Sequence, residues 1–192
     1  MTGTRVATAM GWRKIERLGA GDMVLTFDHG MREVTKVTRV RLWRGEGACP
    51  RRFWPLEVPA KVLGNRTIMR ILPGQAVMLE SDIAEEAYGD PFALVRARVL
   101  EGIRGIERTP PVGDAEVIML YFADEQVIFG EDGALFLCPS SRDLIARALD
   151  GDDSLYSILP VHEALRLVDQ IESEDTCSGP ATPQDIGAAV AA

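Results

Sequence analysis

The sequence IMRILPGQAVML, residues 68–79, consists of two short apolar runs joined by Pro73 and Gly74. Each run has the length and composition of a buried β-strand. Because proline fixes φ and lacks an N–H group, the Pro-Gly pair predicts a sharp corner between the two strands. Corners of this kind often direct side chains into a shared pocket. None of the corner side chains can transfer a proton or attack a carbonyl group at neutral pH: they are Leu72, Gly74, Gln75 and Ala76.

The composition is that of a globular domain with an acidic surface. The 192 residues are 46% hydrophobic and 26% charged, which is ordinary for a soluble protein. The formal net charge of −8 argues against nucleic acid or an anionic membrane as the partner. The first ten residues lack a signal-peptide pattern, and no run of about 18 apolar residues is available to span a membrane. We therefore expect a cytoplasmic protein.

The cysteines are odd in number and have no CxxC spacing: they are Cys49, Cys138 and Cys177. A disulfide framework or a zinc site needs paired thiols at short spacing. We expect these thiols to be reduced, as is usual in the cytoplasm, and we expect neither a metal nor a cofactor.

Short strands separated by tight turns fill the first part of the chain. Gly21-Asp22 and Asp28-His29-Gly30 are turn sequences of residues that tolerate positive φ or bond their own backbone. The segments between the turns are apolar or alternate polar with apolar residues, as strands do: they are residues 4–8, 12–18, 23–27 and 34–42. This spacing favours an all-β fold over βαβ units.

An ordered set of residues in this region resembles the opening of Hedgehog/intein (Hint) domains. The set comprises Gly3 to Thr8 (GTRVAT), Gly11, Ile15, Glu16, Leu18, Gly21, Asp22, Val24 and Thr26. Residues 64–79 are similar to a block of the bacterial Hint subfamily, in which a Gly-Asn-Arg sequence precedes a Ser-Pro-x-His-Arg motif. The resemblance covers about residues 3–140. It implies a compact, mostly antiparallel β-fold of Hint type over residues 1–140.

The resemblance also assigns site positions. Hint chemistry requires a Cys or Ser that attacks the preceding carbonyl, a Thr/Ser-x-x-His block that polarises and protonates the scissile amide, and a second acid/base group. On this register Leu72 stands at the Thr/Ser position, Gln75 at the histidine, Ala76 at the arginine, and Glu125 at a second histidine. The nucleophile would lie upstream of Met1. We therefore expect no catalytic residue, only a vestigial site at Leu72, Gln75 and Glu125.

Three functional hypotheses follow from these residues. The preferred one is a degenerate Hint domain that is not an enzyme and serves as a binding or scaffold module. The alternative is a self-cleaving or protein-splicing Hint domain whose nucleophile is missing from this chain. The third is an unrelated all-β ligand-binding barrel. For the first two, we predict that Gln75 and Glu125 face one concavity near residues 2–4.

A loop rich in arginine and aromatic residues is a candidate interface on this acidic chain. Its members are Trp43, Arg51, Arg52, Phe53 and Trp54. Such residues are enriched where proteins meet, so a protein is the partner we expect. The other interpretation is that the rings close the end of the β-core. His29, in a turn, and His162, near a helix start, are interpreted as solvated polar residues.

The final part of the chain changes periodicity. Residues 141–172 predict a short two-helix extension, with one helix at residues 142–149 and another from Pro160 to about Ile171. The stripe predicted to be buried on the second helix consists of Val161, Ala164, Leu165, Val168 and Ile171. Residues 173–192 are polar and then rich in small residues, which predicts a disordered tail. Among the strands, residues 116–122 are the most hydrophobic and are predicted to be central in the core.

Overall fold

The computed structural model describes residues 1–44, 48–111, 113–131, 133–141 and 155–177. Over these residues the chain is mostly antiparallel β-structure in three sheets, with two α-helices, which confirms the predicted mostly antiparallel β-fold. The strands are β1 (Arg5–Thr8), β2 (Gly11–Lys14), β3 (Met23–Thr26), β4 (Gly30–Glu33), β5 (Lys36–Arg44), β6 (Leu56–Val58), β7 (Met69–Ile71), β8 (Ala76–Glu80), β9 (Phe92–Arg96), β10 (Glu107–Arg108), β11 (Asp114–Tyr121), β12 (Gln126–Gly130) and β13 (Ala134–Cys138). The helices are α1 (Asp82–Tyr88) and α2 (Val161–Cys177), and short 3-10 turns occupy Ile15–Arg17, Arg51–Phe53, Ala97–Leu100 and Ile103–Gly105.

The largest sheet has the strand order β2-β1-β3-β12-β13-β8-β9, with β4 paired to β3. Strands that are distant in sequence pair in this sheet. Ile128 of β12 lies opposite Thr26 of β3, and Leu135 of β13 lies opposite Met78 of β8. The inward side chains of these strands, such as Val6 and Val24, have no exposed surface. The sheet thus joins the beginning of the chain to residues more than a hundred positions later.

The predicted corner is the point where the chain passes between two sheets. β7 belongs to the three-stranded sheet β10-β6-β7, whereas β8 belongs to the large sheet. The turn is closed by the Gln75 N–H, which donates to the Leu72 carbonyl at 2.9 Å. The 3-10 turn Ala97–Leu100 adds two hydrogen bonds to the corner, because the N–H groups of Ala97 and Arg98 donate to the carbonyls of Gln75 and Pro73. The backbone of the corner is therefore held on both sides.

In the Gly-Asn-Arg sequence ahead of the corner, the glycine and the asparagine each have a structural role. Gly64 has a φ of +76°, and a Cβ added there would lie 3.2 Å from the backbone of Gly133. Asn65 has no exposed surface; its amide group donates to the carbonyls of Pro59 and Thr67 and accepts from the Leu63 N–H. This loop is therefore fastened by one buried side chain and packs closely on the β12–β13 turn.

The most hydrophobic strand is not central in a sheet. β11 pairs with β5 alone, in a two-stranded ribbon. Ile118 and Leu120 on its inner face are buried, but Met119 between them is 39% exposed. Ile118, Leu120 and the adjoining Phe122 belong to the main hydrophobic core, so the prediction that this strand lies in the core is confirmed, although the strand has a single neighbour. The predicted strand at residues 12–18 is shorter than expected, since it ends at Lys14.

Helix α1 begins at a serine N-cap. The Ser81 hydroxyl accepts a hydrogen bond from the Ile83 N–H at 3.2 Å, which is the usual role of an N-cap serine. The helix ends at Gly89, which adopts a left-handed conformation with φ of 77°.

Helix α2 differs from its prediction in length and in buried face. It ends at Cys177 rather than near Ile171, so part of the predicted tail is helical. Its buried residues are Ala164, Leu167 and Val168, whereas Val161 and Leu165 are more than 40% exposed. The prediction that Val161 and Leu165 are buried is therefore wrong, and Leu167 was not predicted. The helix predicted at residues 142–149 and the tail beyond Cys177 lie outside the described residues, and the division into domains stays a prediction.

Candidate functional site

A cavity of about 600 Å³ lies at the corner between β7 and β8. The positions assigned from the sequence line it together: Leu72, Gln75 and Glu125 share the cavity with Met1 and Thr4. The corner supplies two of these side chains and the loop between β11 and β12 supplies the third. Gln75 and Glu125 therefore face a common concavity next to the first residues of the chain.

Gln75 has both of its donor hydrogens engaged. Its Nε2 group donates to the carbonyl of Leu137 at 2.8 Å and to the carbonyl of Ala76 at 3.0 Å. An amide nitrogen has two N–H donors, so neither is left to polarise a substrate. The side chain connects the corner to β13 and so has a clear structural role.

Of the two other positions assigned from the sequence, Leu72 and Glu125, only Glu125 carries an ionisable side chain. Leu72 is half-buried and purely aliphatic. Glu125 is half-buried and is the one carboxylic acid among the described residues that line the cavity; none of those residues is a histidine. A carboxylic acid can donate or accept a proton, so Glu125 is the one lining position where the family's acid/base role has an ionisable replacement.

Cys138 also lines the cavity, and sequence reasoning did not select it. It is the last residue of β13 and is buried, and burial raises the pKa of its thiol to about 12. Since the thiolate is the nucleophilic form, Cys138 is unreactive at neutral pH. Residues 134–138 (ALFLC) are all apolar, so the sequence does not indicate which of them face the core or that Cys138 reaches the cavity.

Glu131 is a second residue that the sequence did not reveal, because it lies in an apparent turn. It is 6% exposed and has a φ of 48°, which is unusual for a residue with a side chain. Its carboxylate accepts from the Arg5 N–H at 2.6 Å and from the Thr67 hydroxyl at 3.3 Å. Glu131 therefore fastens the start of β1 to the loop that leads into the corner.

The arginine and aromatic residues predicted as an interface have different individual contacts. Arg52 and Phe53 line the cavity, with the Arg52 guanidinium 4.7 Å from the centre of the Phe53 ring. Trp54 donates its Nε1–H to the Cys49 carbonyl at 2.8 Å, and Arg51 lies 3.7 Å from the Glu101 carboxylate. Trp43 lies on β5 of the two-stranded ribbon. Their role as an interface stays a prediction.

The histidines lie apart from the cavity. His29 is in the turn before β4, where its Nδ1 lies 3.1 Å from Oε1 of Gln126. His162 is exposed in the first turn of α2, and its Nε2 lies 3.6 Å from the Glu163 carboxylate. Neither lines the cavity.

The described residues contain neither a candidate metal centre nor a candidate membrane-spanning helix. Within the described ranges, no group of three or more His, Cys, Asp or Glu side chains is arranged to hold a metal ion. None of the described helices combines the length and apolar character needed to cross a membrane.

Several solved structures are similar to this chain. The chain is similar to the gp41-1 intein, with 12% identity and a TM-score of 0.43, over 71% of this chain and 94% of the intein. It is also similar to the MchDnaB-1 intein, with 15% identity and a TM-score of 0.40, over 69% of this chain and 95% of the intein. A third similar structure is a bacterial intein-like domain from Clostridium thermocellum, with 13% identity and a TM-score of 0.39, over 70% of this chain and 94% of that domain.

A search of curated proteins found no match. The family model described as "Hint domain" matches residues 1–135, which is more than half of the chain and includes the corner, Glu125 and β12. The chain belongs to the Hint domain family.

Proposed function

We infer that this chain is a Hint domain without autoprocessing chemistry and that it serves as a non-catalytic binding or scaffold module. The observation that carries this proposal is the hydrogen bonding of Gln75. Its two amide donors point at the carbonyls of Leu137 and Ala76, so the group at the histidine position has no hydrogen left for a scissile peptide.

The chemistry of an acyl shift explains why this matters. An amide nitrogen leaves poorly unless a positioned acid protonates it, and such assistance is worth about 10²–10⁴ in rate. A primary amide cannot transfer a proton, and Leu72 cannot polarise a carbonyl group. None of the described residues that line the cavity is a histidine, and the Cys138 thiol is a poor proton donor at neutral pH because burial raises its pKa to about 12.

The alternative function is autoprocessing with a nucleophile that is missing from this chain. Glu125 favours it, since a carboxyl group stands at the position of the family's second histidine and lines the same cavity as Gln75. A carboxyl group there could serve the second acid/base step. This role for Glu125 does not name the group that would protonate the leaving nitrogen in the first step.

A fusion experiment decides between the two. A carrier protein ending in Cys-Phe is joined directly ahead of Met1, which restores the nucleophile spacing of the family. We predict no thiol-dependent cleavage over many hours, measured by gel and mass spectrometry. The matched control ends in Ala-Phe and reports background hydrolysis. Cleavage of the Cys-Phe fusion above that background would overturn the non-catalytic function.

The repaired fusion carries Leu72→Thr and Gln75→His. We predict that it forms some thioester, because a hydroxyl and an imidazole then occupy the corner. If it stays silent as well, the cavity has moved too far from family geometry for two substitutions to restore activity, which agrees with a binding module. Cleavage by the Cys-Phe fusion with the native corner would make Glu125 the first candidate for the acid, because it lines the cavity.

A further inference from the structure

The cavity has an apolar interior that reaches the hydrophobic core. Val6, Ile15, Ile71, Leu120 and Phe136 line it, and all are buried members of the main core cluster. Its volume of about 600 Å³ lies within the range of small-molecule pockets, roughly 300–1,000 Å³. An apolar body inside this cavity would therefore contact core side chains instead of water.

Positive charge surrounds the same cavity although the whole chain is acidic. Arg52, Arg96 and Arg108 line it, against a single carboxylate, Glu125. Arg108 is neutralised, because its Nε donates to the Glu101 carboxylate at 2.6 Å. The guanidinium charges of the other two arginines, Arg52 and Arg96, are not neutralised in this way by any described residue.

Arg52 and Arg96 have no acidic partner within the described part of the chain. Arg96 uses one Nη1–H to donate to the Gly74 carbonyl at 2.9 Å, which holds its side chain at the corner. Arg52 lies over the Phe53 ring. A guanidinium has five N–H donors and is suited to bind a carboxylate through two of them, so these two arginines retain most of their capacity to bind an anion.

We propose that the cavity binds an apolar carboxylate, a small molecule whose hydrophobic body lies against the core residues and whose carboxylate is held by Arg52 and Arg96. The proposal rests on the non-catalytic function above, since it gives the binding module a ligand class. Charge complementarity selects an anion over a cation, and the apolar interior selects a hydrocarbon body over a polar metabolite.

Isothermal titration of the full chain with three probes that carry a ten-carbon chain tests the charge requirement. The probes are decanoate, decan-1-ol and decyltrimethylammonium, with the two ionic probes kept below their micelle concentrations and the alcohol below its solubility limit. We expect saturable binding of one decanoate per chain, about tenfold or more tighter than decan-1-ol, since a charge-assisted contact is worth at least that factor. Equal binding of decan-1-ol, tighter binding of the cation, or no saturable binding of decanoate would overturn the proposal.

Paired variants test the two arginines. The Arg52→Gln, Arg96→Gln double variant should bind decanoate about tenfold or more weakly. The matched control is Arg17→Gln, Arg32→Gln, which makes the same change in net charge at two exposed arginines that do not line the cavity. An equal loss in both variants would show that the effect is one of overall charge, and the site would be wrong.

A third variant tests the location. Leu72→Trp places a large ring at the cavity wall and should abolish decanoate binding, whereas Met31→Trp, at an exposed residue of β4, should leave it unchanged. Unchanged binding in a folded Leu72→Trp variant would overturn the location. If Leu72→Trp does not fold, the arginine variants still decide, because both arginines are exposed.

The ligand and the non-catalytic function can fail separately. Decanoate binding together with cleavage of the Cys-Phe fusion would overturn the non-catalytic function and leave the ligand class standing. A silent fusion together with absent decanoate binding would overturn the ligand class alone.

Discussion

At the scale of single residues, Gln75 has a structural role at the corner. Its contact with the Leu137 carbonyl joins residues 62 positions apart in sequence. The cost of losing it comes mainly from the carbonyl groups left unpaired, because a buried acceptor without a partner loses its hydrogen bond to water as well.

Gln75→Met should therefore lower the free energy of unfolding by about 1–3 kcal/mol, since it keeps the length of the side chain and removes both hydrogen bonds. The matched control, Gln170→Met at an exposed position of α2, should change it by less than about 0.5 kcal/mol. Urea denaturation followed by circular dichroism measures both. Equal stability of the two variants would mean that the Gln75 hydrogen bonds contribute nothing.

At the scale of elements, α2 shows that an apolar periodicity can predict a helix and still select the wrong face. Val161 and Leu165 fit a helical stripe as well as Leu167 does, and the choice depends on what the helix packs against. α2 contacts the turn at Ala97–Leu100, β9 and α1. These neighbours meet Ala164, Leu167 and Val168, so the stripe rotates toward Leu167.

Leu167→Ala should thus lower the free energy of unfolding by about 2–5 kcal/mol, the usual cost of emptying a buried leucine site. Leu165→Ala removes the same atoms from a side chain that is 44% exposed and should cost less than about 0.5 kcal/mol. Thermal and urea unfolding of the two variants gives the comparison. A larger loss from Leu165→Ala would place the packed face where the sequence periodicity first indicated.

At the scale of the whole molecule, two weak acids with raised pKa values make the stability of the fold decrease at alkaline pH. Burial raises the pKa of the Cys138 thiol to about 12. Burial and the hydrogen bond to Asp28 raise the pKa of the Tyr156 hydroxyl. A raised pKa in the folded state favours the protonated native form. The resulting stability is complete below the pKa of the unfolded group, near 8.5 for a thiol and 10 for tyrosine, and is lost as pH rises through the folded value.

The thermal midpoint should consequently fall as pH rises from about 8.5 to 12. Measured relative to its own value at pH 8, the Cys138→Ala variant should fall less steeply, because one of the two raised groups is absent. Cys49→Ala, at a half-buried thiol, serves as the control and should follow the parent chain. A Cys138→Ala profile parallel to the parent would assign the alkaline loss to other groups.

Much of the fold follows from local sequence. Alternation and turn residues predict the strands around Val6 and Val24, and the Pro-Gly pair predicts the corner. Each of these depends on interactions between residues a few positions apart, where backbone geometry and side-chain type decide the outcome. The resemblance to the Hint family extended this local information to the positions of Leu72, Gln75 and Glu125.

The partners of those residues were decided by the tertiary structure. Gln75 donating to Leu137, Glu131 fastening Arg5 and Cys138 reaching the cavity all join segments far apart in sequence. Periodicity carries no information about which distant carbonyl or N–H will face a side chain, because that depends on the order and twist of strands in a sheet. The sequence by itself therefore determined the strands, the corner and the missing acid at position 75, whereas only the packing of three sheets around one cavity decided what Gln75 does instead.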